Sequence, residues 1–301
     1  MRILAVYNAC GISGKDRQNL PYYLRALGNL FEHFAGTEHK VVVSGCMMNP
    51  EVKKDLKSFC GSLATMIWVD EPLPLNITMN HAVLKFRSDF THYVYLASDV
   101  DVGESSLVDL CRVVQGEIAV ASALVDRDTG AEWLGVQPPK DKPVRFLPGK
   151  TCNLHCQAWS AEFVQEYGRV LPDIFPSDCS EQVTPYLCSA IRRQFVWAPV
   201  PVHHEHNLDV ASSGFRRGSG DSSVCFRSAA DLRQGKYSPV RPLWEEGRKV
   251  GWGFEEFCTD MKHDPGFFDS NGYSVNSGLF NWLKENLFLD FDYNTVKCEI
   301  Q

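Results

Sequence analysis

The sequence predicts an α/β fold with a mostly parallel, doubly wound sheet and a C-terminal extension. Two observations predict it. Through the first hundred residues, strand-length apolar runs alternate with amphipathic runs of helical period, the pattern of right-handed crossovers between parallel strands. From about residue 230 onward that order gives way to Pro, Gly and aromatics without clear period.

The elements follow in order. "RILAVYN" is a short buried strand. In "NLPYYLRALGNLFEHF" Leu20, Tyr23, Leu24, Leu27, Phe31 and Phe34 recur at helical spacing, with Asn19 as the expected cap and Pro21 in the first turn. "HKVVVSG" reads as a strand, "NPEVKKDLKSF" as a helix and "ATMIWVD" as a strand. "LNITMNHAVLKF" is a helix with Met79, Val83 and Phe86 on one side, and Asn76 as a cap. "THYVYLAS" is the next strand, and "SSLVDLCRVV" the next helix. Beyond it, "EIAVASALV" and "QFVWAPVPV" read as strands, "WSAEFVQEYG" and "EQVTPYLCSAIRRQF" as helices. "ASSGFRRGSGDSSV" is Gly/Ser-rich and reads as a loop. Ligands of such sheets bind beyond the carboxyl ends of the strands, where Asn8, Ser44, Asp70, Asp99 and Asp101 gather.

Composition narrows the function. The chain has 301 residues, 44% hydrophobic and 22% charged, as expected for a globular protein. A net charge of −7 gives no basic field to attract nucleic acid. "MRILAVYNACGISGKD" makes a poor signal peptide, and no run reaches the ~18 apolar residues of a membrane helix. The 11 cysteines are odd in number, scattered and mostly within apolar segments, which suits buried thiols in a reducing cytosol. A cytoplasmic location is expected, with peripheral contact to a membrane face left open.

"YVYLASDVDVGES" carries the strongest functional signal. An apolar run ends at Asp99 and Asp101. On an extended chain, residues two apart point the same way, roughly 6–7 Å apart. One carboxylate can then hold a cation while the other reaches the cation, its water or a sugar hydroxyl. Carboxylates are hard ligands that suit Mg²⁺ or Mn²⁺. A polar turn after a strand is the plain alternative.

With "NLPYYLRALGNL", "NITMNHAVLKF" and "YLASDVDV" in this order and spacing, the sequence resembles the GT-A glycosyltransferases, especially the family-2-like enzymes. The resemblance covers about the first 210 residues, and only the Asp-x-Asp is a motif proper. It implies a GT-A domain over 1–210, with a nucleotide-sugar-binding half at 1–101 and an acceptor half at 102–210. An extension would occupy 211–301. It also implies a UDP- or GDP-sugar donor whose diphosphate is bridged by a metal on Asp101, with Asp99 against the ribose or donor sugar. Asn8, Ser44, Asp70 and Asn80 complete the expected donor site. One departure stands out: "VVVSGCMMNPE" lacks the carboxylate that these enzymes usually place after the second strand to bind the base.

Other candidates lie further along. "PVPVHHEHN" delivers His203, His204 and His206 around Glu205. No HExxH helix is present, and a late histidine often serves GT-A enzymes as a further metal ligand. His204 is preferred to His206, against surface histidines at a strand end. In "FPSDCSEQVTPYLCSAI", Asp178 and Glu181 fall where GT-A inverters place the base that takes the acceptor proton. The same pair also forms a capping box. Arg216 or Arg217 of "SGFRRGSGDSS" could close over the diphosphate. In "KVGWGFEEF", Trp252 offers a flat face to an acceptor sugar and Glu255 or Glu256 a second candidate base. "GISGKD" fails the Walker spacing. In "TCNLHCQAW", Cys152, His155 and Cys156 read as core residues in preference to zinc ligands.

The expected activity is a metal-dependent glycosyltransferase that moves a sugar from a nucleotide-sugar to a carbohydrate, lipid or other hydroxyl acceptor, with inversion. The alternatives are a sugar-phosphate nucleotidyltransferase and a non-catalytic carbohydrate-binding protein on a GT-A fold.

Overall fold

"ILAVYNAC" forms β1 (Ile3–Cys10), and it is apolar on both sides because both sides are covered. Ile3, Ala5, Tyr7 and Ala9 enter one core cluster; Leu4 and Val6 enter the other. The structure is a computed structural model that describes residues 1–10, 15–70, 75–103, 106–126, 136–148, 155–172, 180–205, 268–275, 277–288, 293 and 298–300.

Three more parallel strands flank β1: β2 (Lys40–Cys46), β3 (Ala64–Val69) and β4 (His92–Ala97). Their crossovers are α1 (Asp16–Phe34), α2 (Pro50–Cys60) and α3 (Leu75–Phe86). After β4 come β5 (Val100–Val102), α4 (Ser106–Val113), β6 (Ile118–Val125) and β7 (Val144–Phe146). Next are β8 (Cys156–Ser160), α5 (Ala161–Tyr167), α6 (Ser180–Ala190) and β9 (Gln194–His204). Helix α7 (Ser277–Leu287) and β10 (Glu299–Ile300) complete the described elements.

The sheet runs β10-β3-β2-β1-β4-β8-β6-β9-β5, with β7 also on β9. The central run β3-β2-β1-β4 and the β6-β9 pair are parallel; β8 enters antiparallel to both β4 and β6, and β5, β7 and β10 also pair antiparallel. Helices α1, α2 and α4 cover one face; α3, α5, α6 and α7 cover the other. The doubly wound α/β class is therefore the one expected. Glycine is required at one close approach: a Cβ on Gly45 would stand 2.5 Å from the Trp68 ring and 2.9 Å from the Ala9 carbonyl oxygen.

Two local expectations are corrected. Helix α1 starts at Asp16, a turn before Asn19, so Asn19 is buried inside the helix and its side chain donates to Tyr23 Oη at 3.4 Å. Asp16 supplies the reason: its carboxylate accepts from the Asn49 backbone at the start of α2, so tertiary contact extends the helix. Asn76 lies within α3, and its Nδ2 donates to the Pro172 carbonyl at 2.7 Å. By contrast Asn49 caps α2 as a polar residue before Pro should, accepting from Glu51 N at 2.9 Å.

Candidate metal and donor site

The turn after β4 carries Ser98 and Asp99. Two long-range bonds hold it. Tyr7 on β1 donates its hydroxyl to the Ser98 carbonyl at 2.9 Å, and the Glu205 backbone N–H donates to the Asp99 carbonyl at 2.8 Å. Burial, then Tyr22, Tyr23 and the charges of Asp99 and Asp101, push the Tyr7 phenol well above its ordinary value, so it stays a donor.

Strand β9 brings His204 to this turn. It shifts register against β6, and its last residues pair antiparallel with β5, Val100 opposite His204. His204 Nε2 lies 3.3 Å from Asp99 Oδ2. His155 arrives by a third route: it precedes β8, and its carbonyl accepts from Ala97 N at 2.8 Å, across the β4–β8 pairing. The His155 and His204 rings meet edge to face, with centroids 4.7 Å apart.

Asp99, His155 and His204 each offer a ligand atom, and these atoms all lie within 4.8 Å of one another. Asp99 is only 6% exposed, and its Oδ1 is buried with no hydrogen-bond partner. A buried carboxylate oxygen without a donor is costly, and a divalent cation supplies what the protein does not. Two imidazoles and one carboxylate form a donor set that fits such an ion. Burial works to raise the Asp99 carboxyl, but the His204 hydrogen bond and the His155 and His204 charges outweigh it and hold it below its ordinary value.

Asp101 lies elsewhere. Asp99 sits in a turn and not on the extended strand, so the two-residue alternation does not align the pair. Asp101 Oδ1 accepts from Asn29 Nδ2 at 2.8 Å, and Oδ2 lies 3.4 Å from Arg25 Nε, both on α1. Arg25 also lies 3.8 Å from Glu205 and over the Tyr22 ring at 4.9 Å.

The expected donor residues are placed unequally. Asn8 pairs in register with Ser44 and with Ala97 at the carboxyl end of the sheet, and its Nδ2 reaches Tyr95 Oη at 3.5 Å. Ser44 is buried, its hydroxyl without a hydrogen-bond partner. Asp70, after β3, is 88% exposed and 2.5 Å from Lys53 Nζ. Asn80 lies in the core, bonded to the backbone of Val170 and Leu171. His203 faces Asp126, Nδ1 to Oδ2 at 2.6 Å. Glu181 stands in the first turn of α6 with its side chain outside the described residues, as are Asp178, His206, Arg216, Trp252 and Glu255.

The sequence reading passed over His155 as a site residue. With Cys152 and Cys156 it reads as a core residue in preference to a zinc ligand, and Cys156 is indeed buried in the core. Strand pairing, not spacing, brings His155 to Asp99, so no local signal marked it.

No protein-family profile matches the sequence, and a search of curated proteins finds no match. Solved structures do match. A mannosyltransferase of Pyrobaculum calidifontis, in complex with GDP-Man and Mn²⁺, superposes with TM-score 0.53 at 14% identity, over 80% of this chain and 67% of that one. The chain has the GT-A fold. Staphylococcus aureus TarS, residues 1–349, shares it with TM-score 0.50 at 10% identity, over 75% of this chain and 70% of that one. In the GT-A fold as this chain builds it, Asp99 stands at the carboxyl end of a central strand, as expected from sequence. Among the described residues no helix is long and apolar enough to cross a membrane.

Proposed function

We propose that the chain is a metal-dependent glycosyltransferase that transfers a sugar from a UDP- or GDP-sugar to an acceptor hydroxyl, with inversion at the sugar carbon. One observation carries the reading. A buried carboxylate with an unpartnered oxygen meets two imidazoles at the carboxyl edge of a GT-A sheet.

Asp99, His155 and His204 would hold a divalent cation, Mn²⁺ or Mg²⁺, which would supply positive charge to the departing diphosphate. The chain's own residues prepare that place. Asp99 is held ionised, His204 orients it, and Tyr7 and Glu205 fix the turn that bears it. Asn8, near the carboxyl end of β1, and Asp70, just after β3 on the far side of β2, are assigned to the donor nucleotide. Glu181, in the first turn of α6, or Asp178, three residues earlier in the sequence, is assigned to take the proton of the acceptor hydroxyl. Arg216 is assigned to the donor diphosphate, and Trp252 and Glu255 to the acceptor. These last assignments rest on the sequence.

The experiment is incubation with a panel of nucleotide-sugars and Mn²⁺. Release of the nucleoside diphosphate supports the reading, and its stereochemistry follows from the anomer of the transferred sugar. Pyrophosphate release from a nucleoside triphosphate and sugar phosphate, or donor binding without turnover under any acceptor, would overturn it.

A further inference from the structure

We infer that the two acids of the Asp-x-Asp do different work: Asp99, His155 and His204 take the cation, while Asp101 anchors α1 to the edge strand β5 and is not a ligand. This deepens the reading above and rests on it for what the cation does. The inference itself concerns which side chains hold the ion.

Three observations converge. The Asp99 oxygen that lacks a partner belongs to a side chain 6% exposed, in a cluster whose ligand atoms already lie within 4.8 Å. Both Asp101 oxygens are engaged by α1: one accepts from Asn29 and the other faces the Arg25 guanidinium. Turning Asp101 to a metal would strip Asn29 of its acceptor and leave Arg25 with Glu205 alone. Arg25 thus already stands as the cation of Asp101. The pair has been divided by the turn at residues 98–99, which lifts Asp99 off the strand.

The donor set then has a chemical consequence. Imidazole nitrogen is a poor ligand for Mg²⁺, which prefers oxygen and gives up water reluctantly, whereas Mn²⁺, Co²⁺ and Zn²⁺ accept it. The site is expected to hold Mn²⁺ at least about tenfold more tightly than Mg²⁺.

The test uses the full chain with metal alone, read by electron paramagnetic resonance of bound Mn²⁺ and by thermal shift, without donor or turnover. The wild type is expected to bind one Mn²⁺ with nitrogen couplings from two imidazoles. His155→Gln should remove one coupling and weaken binding by about tenfold or more. Asp101→Asn should keep both couplings and an affinity within about twofold, while lowering the thermal midpoint. Should Asp101→Asn not fold, Asn29→Ala perturbs the same anchor and should also leave the Mn²⁺ spectrum intact. Loss of Mn²⁺ binding in a folded Asp101→Asn, unchanged couplings in His155→Gln, or no Mn²⁺ binding to the wild type would overturn the inference. Intact Mn²⁺ binding without nucleoside diphosphate release would overturn the proposed function and leave the ligand assignment standing.

Discussion

Asn29 on α1 and Asp101 on β5, 72 residues apart, are joined by a hydrogen bond of 2.8 Å from Nδ2 to Oδ1. Asp101 is 8% exposed, while the bond itself is part-buried. Asn29→Ala is expected to lower the free energy of unfolding by about 1–3 kcal/mol, the usual cost of orphaning a buried oxygen. Urea denaturation measures it. A change within experimental error would mean that Arg25 alone satisfies the carboxylate.

Tyr7 makes a different prediction, one about position. Its hydroxyl bonds the Ser98 carbonyl from a fully buried ring, beside Asp99. Tyr7→Phe keeps the packing and removes only the bond. The expected loss is about 1 kcal/mol of stability, with weaker Mn²⁺ binding because the turn is less constrained. If stability falls and Mn²⁺ affinity does not, Tyr7 supports the fold without setting the site.

Much of this was legible in the sequence. The alternation through residue 97 fixed four parallel strands and their crossovers, since apolar period and short connections act locally. The positions of Asp99 and His204 at the ends of strands were legible too, because each closes an apolar run. His155 was not: its place depends on β8 entering antiparallel beside β4, a tertiary choice that no residue near position 155 encodes. The parting of Asp99 from Asp101 was equally hidden. It follows from a two-residue turn that shares its polar composition with a strand end.

Asn80 shows the same limit from the other side. Polar and early in a helix, it reads as a donor contact, yet it is fully buried. Its Oδ1 accepts from Val170 N and Leu171 N at 3.3 and 3.2 Å, and its Nδ2 donates to the Leu171 carbonyl at 2.8 Å. Asn80→Ala would leave three backbone groups of the segment after α5 without this partner. A loss of about 3 kcal/mol or more in chemical denaturation is expected. A folded variant of wild-type stability that has lost nucleotide affinity would instead return Asn80 to the donor site.

Stability is expected to fall on mild acidification, and the sign follows from three histidines. Burial lowers His39, His81 and His92 below the ordinary value of 6.5; the N-terminal charge adds to it at His39 and Lys85 at His81, while a bond to the Val114 carbonyl partly opposes it at His92. A lowered folded value means the unfolded chain binds protons first, so stability rises with pH across this range. The contribution is complete above about 6.5 and is lost as pH falls from there through the lower folded values. Asp99 acts in the same direction in a lower window. Its carboxyl is held below 3.8, so its contribution is present above that value and vanishes as pH falls through the folded one. Urea midpoints recorded from pH 8 to pH 5 should therefore decline mainly below about pH 6.5. His92→Gln should flatten part of that decline, because glutamine can donate to Val114 without titrating; an unaltered slope in that variant would assign the acid sensitivity to other groups.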